Sequence, residues 1–322
     1  TGQIRYNYAN MDNDRGQSSS HVDGKTGNTY ESNLRSRIWM TGAVNDNWNY
    51  VGMLQNMQYF DNNAGDEGTD FQRAYLEGRL GGAQVTAGRF NQTLPVPEIY
   101  DNRFDGVKVT YGKSVRLGAY YGKPTNEAKK DLYVGNVSTK QPGYTYNKAW
   151  GVNAAGDLGK NVTLYAGYDK FTNADETTFT DYDGTKYTGT IDDNSIWNVG
   201  LNFKFGEASL GAVYMKSNLD LGDASNKGVV VSGAYAGAKA NKVGSWGINA
   251  KYYNQGAGTF VAHTMDPASW KDFLYEGFSG WMAGANYTVA KNMIAGVEYF
   301  DLKGKESDDH AKTLWGQMLV TF

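Results

Sequence analysis

The chain of 322 residues has no cysteine, five prolines and three histidines. Without cysteine it forms neither a disulfide nor a thiolate metal site. The histidines, His21, His263 and His310, lie far apart in predicted loops, so no arrangement of serine, histidine and acid for nucleophilic catalysis can be proposed. We therefore predict a protein that is not an enzyme and that uses no metal or other cofactor.

Long apolar runs are also missing. A transmembrane helix needs roughly 20 consecutive apolar residues, whereas residues 229–231 are among the longest clean aliphatic runs here. The mean hydropathy of −0.59 is that of a soluble protein at first sight. A transmembrane β-barrel gives the same weak signal, because residues that face lipid alternate with residues that face the lumen. The net charge of −3 gives no support to a nucleic-acid partner.

The sequence alternates with a period of two along most of its length. In residues 73–80, for example, Arg73, Tyr75, Glu77 and Arg79 alternate with small or apolar residues. This period is typical of strands with one apolar and one polar face. About sixteen such segments have the roughly 9–11 residues of a tilted membrane strand. Short turns alternate with long polar loops, so we predict an all-β fold, a single sixteen-stranded antiparallel transmembrane β-barrel over residues 1–322.

Aromatic residues stand where many predicted strands end. Their amphipathic rings favour the membrane–water interface and would form two girdles around the barrel. The alternative is the general preference of aromatic residues for strands. The residues concerned are Trp48, Tyr121, Trp150, Tyr168, Trp197, Tyr235, Trp246, Tyr287 and Tyr299.

One stretch breaks the regular rhythm. Residues 74–90 contain AYLEGRLGG and VTAGRF, and residues 102–111 read NRFDGVKVTY. Between them lies a loop with two prolines, which cannot donate to a strand ladder, and with several acids. This stretch resembles the part of bacterial general porins where the third long loop folds into the barrel and narrows it. The resemblance implies an inward-folded constriction loop at about residues 91–106; an ordinary hairpin with a surface loop is the alternative.

The resemblance covers the whole chain and implies a homotrimeric, water-filled barrel in the bacterial outer membrane. The terminal Phe322 ends an apolar-alternating strand and resembles the C-terminal signal that the barrel-assembly machinery recognises. More narrowly, the chain looks like the barrel of OmpM-type porins, which carry a surface-layer-homology domain and a coiled-coil stalk. This chain contains neither element, so contact with the cell wall would need a domain outside it. Outer-membrane lipids, including lipopolysaccharide, are the expected surroundings.

All arginines lie in the first 116 residues. The period of two places six of them toward the lumen, and an arginine facing lipid would cost roughly 2–4 kcal/mol at the midplane. These six are Arg5, Arg35, Arg37, Arg73, Arg79 and Arg116. Arg89 has the parity of Val85 and Ala87, and we add it to this set on the assumption that the strand leaves the wall there. We predict that these seven arginines form the basic side of the constriction.

The predicted loop would face these arginines with Glu98, Asp101 and Asp105. Opposed charges across a narrow opening make a transverse field that orders dipolar solutes. The alternative is that the charges simply pair and hold the loop in place.

The leading functional prediction is a porin for passive diffusion of small hydrophilic solutes and ions, filtered by size and charge. A second hypothesis is an outer-membrane anchor or adhesin whose barrel mainly carries a tether or exposed loops. A third is a substrate-specific channel, which would need an aromatic track in the pore. Candidate residues for that track are Tyr75, Tyr120, Tyr165 and Tyr253.

Overall fold

A computed structural model provides the fold. It describes residues 1–14, 27–60, 67–125, 132–134, 137–139, 146–174, 177–180, 186–189, 192–219, 225–265, 273 and 276–322. His21 lies outside the described residues.

Sixteen of the strands form one closed antiparallel barrel, which confirms the predicted fold class. The barrel strands are β1 (Gly2–Asn13), β2 (Gly27–Asn45), β3 (Trp48–Tyr59), β4 (Glu67–Leu80), β5 (Ala83–Thr93), β6 (Asp101–Gly112), β7 (Val115–Pro124), β10 (Tyr146–Leu158), β11 (Val162–Ala174), β14 (Asn194–Phe205), β15 (Ala208–Ser217), β16 (Lys227–Ala236), β17 (Trp246–Gly256), β18 (Gly277–Ala290), β19 (Met293–Gly304) and β20 (His310–Thr321). Two short hairpins are separate from the barrel sheet: β8 (Leu132–Val134) with β9 (Val137–Thr139), and β12 (Thr177–Thr180) with β13 (Lys186–Gly189).

The first and last strands close the barrel. β1 pairs antiparallel with β2 on one side and with β20 on the other, where Gln3 lies opposite Thr321 and Asn13 opposite Ala311. A closed sheet leaves no edge with unpaired backbone groups. This is the condition for a sheet to cross a hydrocarbon layer.

The connections are short at one end of the barrel and mostly long at the other. At the short-turn rim, Gly81 and Gly82 join β4 to β5 with positive φ angles of 56° and 86°, which a tight hairpin turn requires. Residues 237–245, between β16 and β17, are the long exception at this rim. The opposite end, here called the loop rim, carries the longer connections. Both chain termini lie at the short-turn rim, where Gly2 and Phe322 exchange backbone hydrogen bonds.

The outer wall is apolar. Along β7, Val115, Leu117 and Tyr121 are exposed, whereas Gly118 and Tyr120 are buried on the inner face. The same alternation in the other strands produces a belt of exposed aliphatic side chains around the barrel. Such a belt fits a lipid environment.

Exposed aromatic rings follow one another around this wall. Toward the loop rim, the ring of Tyr168 lies 5.3 Å from Trp150 and 4.5 Å from Trp197, measured between centroids. Near the short-turn rim, Tyr235 lies 5.9 Å from Trp246. The rings therefore form two groups at different heights.

The most deeply buried side chains lie inside the barrel. Phe104 of β6, Phe171 of β11, Phe278 of β18 and Ile99 of the β5–β6 connection are at most 1 % exposed. They belong to one apolar cluster that also takes in side chains of β14 to β20. Part of the lumen is thus filled with packed apolar side chains.

Two connections fold into the lumen. The first inward segment, residues 94–100, joins β5 to β6, and its Glu98 reaches Lys251 Nζ at 2.7 Å. Lys251 is on β17, on the opposite wall of the barrel. The second inward segment, residues 257–265, follows β17 and contacts the first. The irregular part of the first segment is shorter than the predicted 91–106, because β5 continues to Thr93 and β6 begins at Asp101.

Candidate functional site

A cavity of about 850 Å³ lies in the lumen. One side of it is the inner face of β1 to β6, and the other includes residues 262–265 of the second inward segment. Two carboxylates, Glu77 and Asp101, line it. Six basic side chains line it as well and are called the basic wall below: Arg5, Arg35, Arg37, Arg73, Arg103 and Lys108. Basic groups therefore outnumber acidic ones around this space.

Strand alternation turns the arginines inward. In β2, Arg35, Arg37 and Trp39 line the cavity, and Ile38 between them is exposed on the outer wall. The same alternation places Trp39, a large and mainly apolar residue, on an inner face that is otherwise polar here. In the structure it lies opposite Met53, which is 1 % exposed and lines the same cavity, so the indole has an apolar neighbour on the inner wall.

Arg5 and Arg35 are direct partners across β1 and β2. Like charges in directly opposed positions destabilise a sheet. The Arg5 guanidinium lies over the Trp315 ring, 5.5 Å from its centroid, and Arg37 Nε donates to Gln55 Oε1 at 2.7 Å. These neighbours orient the guanidiniums. A locally unfavourable arrangement held in place by its surroundings is typical of functional sites.

A hydrogen-bond network ties Arg73 to the adjoining ends of β5 and β6 and to the second inward segment. Arg73 Nη2 donates to Asn91 Oδ1 at 2.6 Å, and Asn91 Nδ2 donates to Asp101 Oδ1 at 2.6 Å. The same oxygen accepts from Thr93 Oγ1 at 2.6 Å. Thr264 Oγ1, on the second inward segment, donates to Asp101 Oδ2 at 2.7 Å. Asp101 therefore links a barrel arginine, the end of β5 and the second inward segment.

Glu98 does not face the basic wall. It is 6 % exposed, and it pairs with Lys251 on the far side of the lumen. The predicted opposition of Glu98 to the arginines is corrected accordingly. Its position is explained by the length of the Lys251 side chain, which extends from the inner face of β17 toward the tip of the first inward segment.

Arg89 and Asp105 also lie elsewhere. Arg89 Nε and Nη2 donate to the two carboxylate oxygens of Asp105 at 2.7 Å each. The two residues are cross-strand partners on β5 and β6, beside the inward Phe90 and Phe104, and both are exposed on the opposite face. The prediction that they face each other across the pore is therefore wrong. Arg89 remains in the strand, so its parity with Val85 places it outward.

Arg79 and Arg116 lie near the short-turn rim, away from the cavity. Arg79 follows the strand into the β4–β5 turn, where its backbone N–H donates to Asn47 O at 3.2 Å. Arg116 makes a bidentate pair with Asp157, at 2.6 and 2.9 Å. Neither arginine lines the cavity. The strand period gives the face of a side chain but not its height in the barrel.

Three features of the cavity were missed in the sequence. Lys108 alternates with Val107 and Val109, so the parity used for the arginines would have placed it inward. Arg103 shares its parity with Val107, which the strand period places outward, so the period alone does not predict that Arg103 lines the cavity. The second inward segment carries no period or motif, and nothing in the sequence places it in the lumen.

His263 is a buried group of the second inward segment. Met265 N donates to its Nδ1 at 2.9 Å, so its Nε2–H donates to Gln255 Oε1 at 3.0 Å. Burial lowers the pKa of His263 well below its ordinary value, and Lys251 acts in the same direction against a smaller opposing effect of Asp101. The ring is therefore neutral at pH 7.

Among the described residues, no helix is long and apolar enough to span a bilayer. The same residues contain no group of three or more histidines and carboxylates placed to hold a metal ion. Phe322 is 67 % exposed at the short-turn rim. Its role as an assembly signal stays a prediction.

Solved structures of similar fold are known. A triple mutant of the Rhodopseudomonas blastica porin matches with a TM-score of 0.57 at 15 % identity, and the match covers 99 % of each chain. A variant of the Rh. blastica porin with five substitutions gives a TM-score of 0.58 at 16 % identity, again over 99 % of each chain. Identities this low establish the fold alone. No protein-family model and no curated protein matches the sequence, and the OmpM-type resemblance stays a prediction.

Proposed function

We propose that the protein is a diffusion channel of the bacterial outer membrane, which admits small hydrophilic solutes and favours anions. The observation that carries this proposal is the contrast between the two faces of the closed barrel. The outer wall is apolar, and the inner wall encloses a cavity of about 850 Å³ lined by six basic and two acidic side chains. The similarity of fold to a porin agrees with this reading.

The charge of the cavity supports the preference for anions. Arginine stays protonated at any relevant pH and presents several fixed donors. A lumen lined by an excess of one sign of charge raises the local concentration of ions of the opposite sign. The transverse field predicted from the sequence is weaker than expected, because Glu98 pairs with Lys251 and Asp105 with Arg89. The main electrostatic effect is therefore accumulation of anions along the basic wall.

The two inward segments support a size limit. They lie between opposite walls and leave the cavity beside the basic wall. Solutes that cross the barrel by this route would pass beside Arg35, Arg73 and Asp101. The narrow, charged opening penalises large and apolar solutes.

An outer-membrane anchor is the second candidate. The apolar cluster inside the barrel, with Phe104, Phe171 and Phe278, favours it because packed side chains exclude water from part of the lumen. A barrel with this role would be closed to ions. Assembly as a homotrimer, embedding beside lipopolysaccharide, recognition by the barrel-assembly machinery and contact with the cell wall stay predictions.

Single-channel recording in a planar bilayer separates the two candidates. The purified protein, added to a bilayer under a KCl gradient, should give stable open-channel steps and a reversal potential of the sign expected for chloride preference. Detergent without protein and heat-denatured protein are the controls. Absence of steps from correctly folded protein would overturn the channel and favour the anchor, and a reversal potential near zero would overturn the anion preference.

A further inference from the structure

Backbone hydrogen bonds of the β type join the second inward segment to the first. Tyr100 and Ala262 form an isolated parallel bridge. Val261 N and Ala262 N both donate to Ile99 O, at 2.9 and 3.1 Å, and Asp101 N donates to Ala262 O at 2.7 Å. Backbone hydrogen bonds of this kind fix the relative position of two chain segments. The two segments therefore meet as one unit inside the lumen.

The second inward segment is also held by contacts with the barrel strands next to it. Asn194 Nδ2 donates to Gly258 O at 2.7 Å, and Thr259 Oγ1 donates to Gly256 O at 2.7 Å. The Phe260 ring packs against Phe278 at 5.3 Å between centroids. Gly258 has a φ of 80°, which glycine adopts without strain. These contacts fasten the segment to the wall around β14 and β18.

The first inward segment is too short to span the lumen by itself. Sixteen tilted strands about 4.8 Å apart make a barrel about 30 Å across between backbones. A connection of seven residues goes out and back, so its backbone reaches about 12 Å at most. The remaining distance is filled by side chains such as Lys251 and by the second inward segment. This segment brings Ala262, His263, Thr264 and Met265 to the cavity.

Thr264 has a defined place in this arrangement. Its hydroxyl donates to Asp101 Oδ2 at 2.7 Å, and its backbone N–H donates to Pro97 O at 3.2 Å. It is partly exposed, whereas its neighbours His263 and Met265 are 5 % and 6 % exposed. Its side chain therefore lies at the surface of the cavity, near the hydrogen-bond network of Arg73.

We propose that residues 257–265 are a second constriction element, and that Thr264 lines the narrow passage opposite the arginines of the basic wall. In this arrangement the cross-section available to solutes is set jointly by two connections from opposite walls. The basic wall of the barrel bounds the passage on one side, and Thr264 bounds it on the other. The size of the side chain at position 264 therefore determines which solutes pass. The proposal rests on the proposed channel function.

The absence of cysteine in the whole chain permits a direct test. In Thr264→Cys the only thiol is at the proposed passage, and a negatively charged methanethiosulfonate reagent adds a bulky group to it. We expect the single-channel conductance to fall by at least about one third on addition of the reagent, since the group enters a constriction. Each channel serves as its own reference before the reagent is added.

Asp308→Cys is the matched control, because Asp308 lies in the loop-rim connection after β19 and its side chain is 79 % exposed. Its modification should leave conductance unchanged. Met265→Cys provides a second site on the same cavity if Thr264→Cys does not fold. Mass spectrometry measures modification. Unchanged conductance after complete modification of Thr264→Cys, or a Thr264→Cys thiol that remains unmodified in an open channel, would overturn the second constriction element. Absence of channels in the unsubstituted protein would instead overturn the proposed function.

Discussion

Neutralising part of the basic wall should change the ion selectivity of the channel by a calculable amount. The triple variant Arg35→Gln, Arg37→Gln, Arg73→Gln removes three of the six positive charges that line the cavity and leaves both carboxylates. Glutamine keeps an amide donor, so it replaces the charge while retaining some hydrogen bonding. The three residues lie on the inner face of β2 and β4, where the variant leaves the apolar outer wall unchanged.

The size of the cavity sets the magnitude. Treated as a sphere, the cavity of about 850 Å³ has a radius of about 6 Å, at which one unit charge acts on a permeating ion with about 0.7 kcal/mol in water. Screening in about 0.1 M salt reduces this interaction to about 0.4 kcal/mol. Three charges then contribute about 1 kcal/mol, with opposite signs for an anion and a cation, so the permeability ratio changes by about 2 kcal/mol, or roughly 30-fold.

The reversal potential in a planar bilayer under a KCl gradient measures this ratio. We expect the triple variant to move clearly toward the potassium potential and the shift to shrink at high salt. A matched control, Lys160→Gln, Lys204→Gln, Lys239→Gln, removes the same charge from exposed positions near the short-turn rim and should have a much smaller effect. Equal shifts in the two variants, or none in the first, would refute the argument that the basic wall sets the selectivity.

Two further predictions concern the inward segments. Glu98→Gln leaves the partly buried Lys251 without its carboxylate, and breaking a buried pair costs about 3–5 kcal/mol, less here because Lys251 is 24 % exposed. The noise of the open-channel current should therefore rise in Glu98→Gln. The double variant Glu98→Gln, Lys251→Met should return the noise to the level of the natural protein. Unchanged noise in Glu98→Gln would contradict the idea that this ion pair holds the first inward segment in place. The pKa of His263 is lowered when the second inward segment is docked, so the docked segment binds fewer protons than the released one. The contribution of His263 to docking is therefore complete above pH about 6.5. It falls with the pH by roughly 1.4 kcal/mol per pH unit until the lowered pKa is reached. Conductance fluctuations should then increase between pH 7 and pH 5 in the natural protein but not in His263→Gln; identical profiles would count against His263.

The barrel could be predicted from the sequence because its signal is local and repeated. Alternation within each strand is visible over a few residues, and it recurs along most of the barrel. The same rule places Arg5, Arg35, Arg37 and Arg73 on the inner face, and these four side chains line the cavity. At Arg89 the parity with Val85 also gives the observed outward face, and the prediction went wrong where that parity was set aside.

The interior of the lumen could not be predicted in the same way. The pair of Glu98 and Lys251 joins residues 153 positions apart, and no local pattern encodes it. The contact of Thr264 with Asp101 is of the same kind, with a separation of 163. Both depend on how irregular connections fold back into a closed barrel. The height of Arg79 and Arg116 near the short-turn rim likewise follows from the strand register, which the sequence period does not contain.

Liposome swelling with neutral sugars of graded size tests the central claim most directly, because it requires a continuous water-filled path and is independent of charge. Liposomes that contain the purified protein should swell rapidly in a monosaccharide and progressively more slowly in larger oligosaccharides. Liposomes that contain the folded barrel but fail to swell in the smallest sugar would show that the lumen is closed and would contradict the proposed channel.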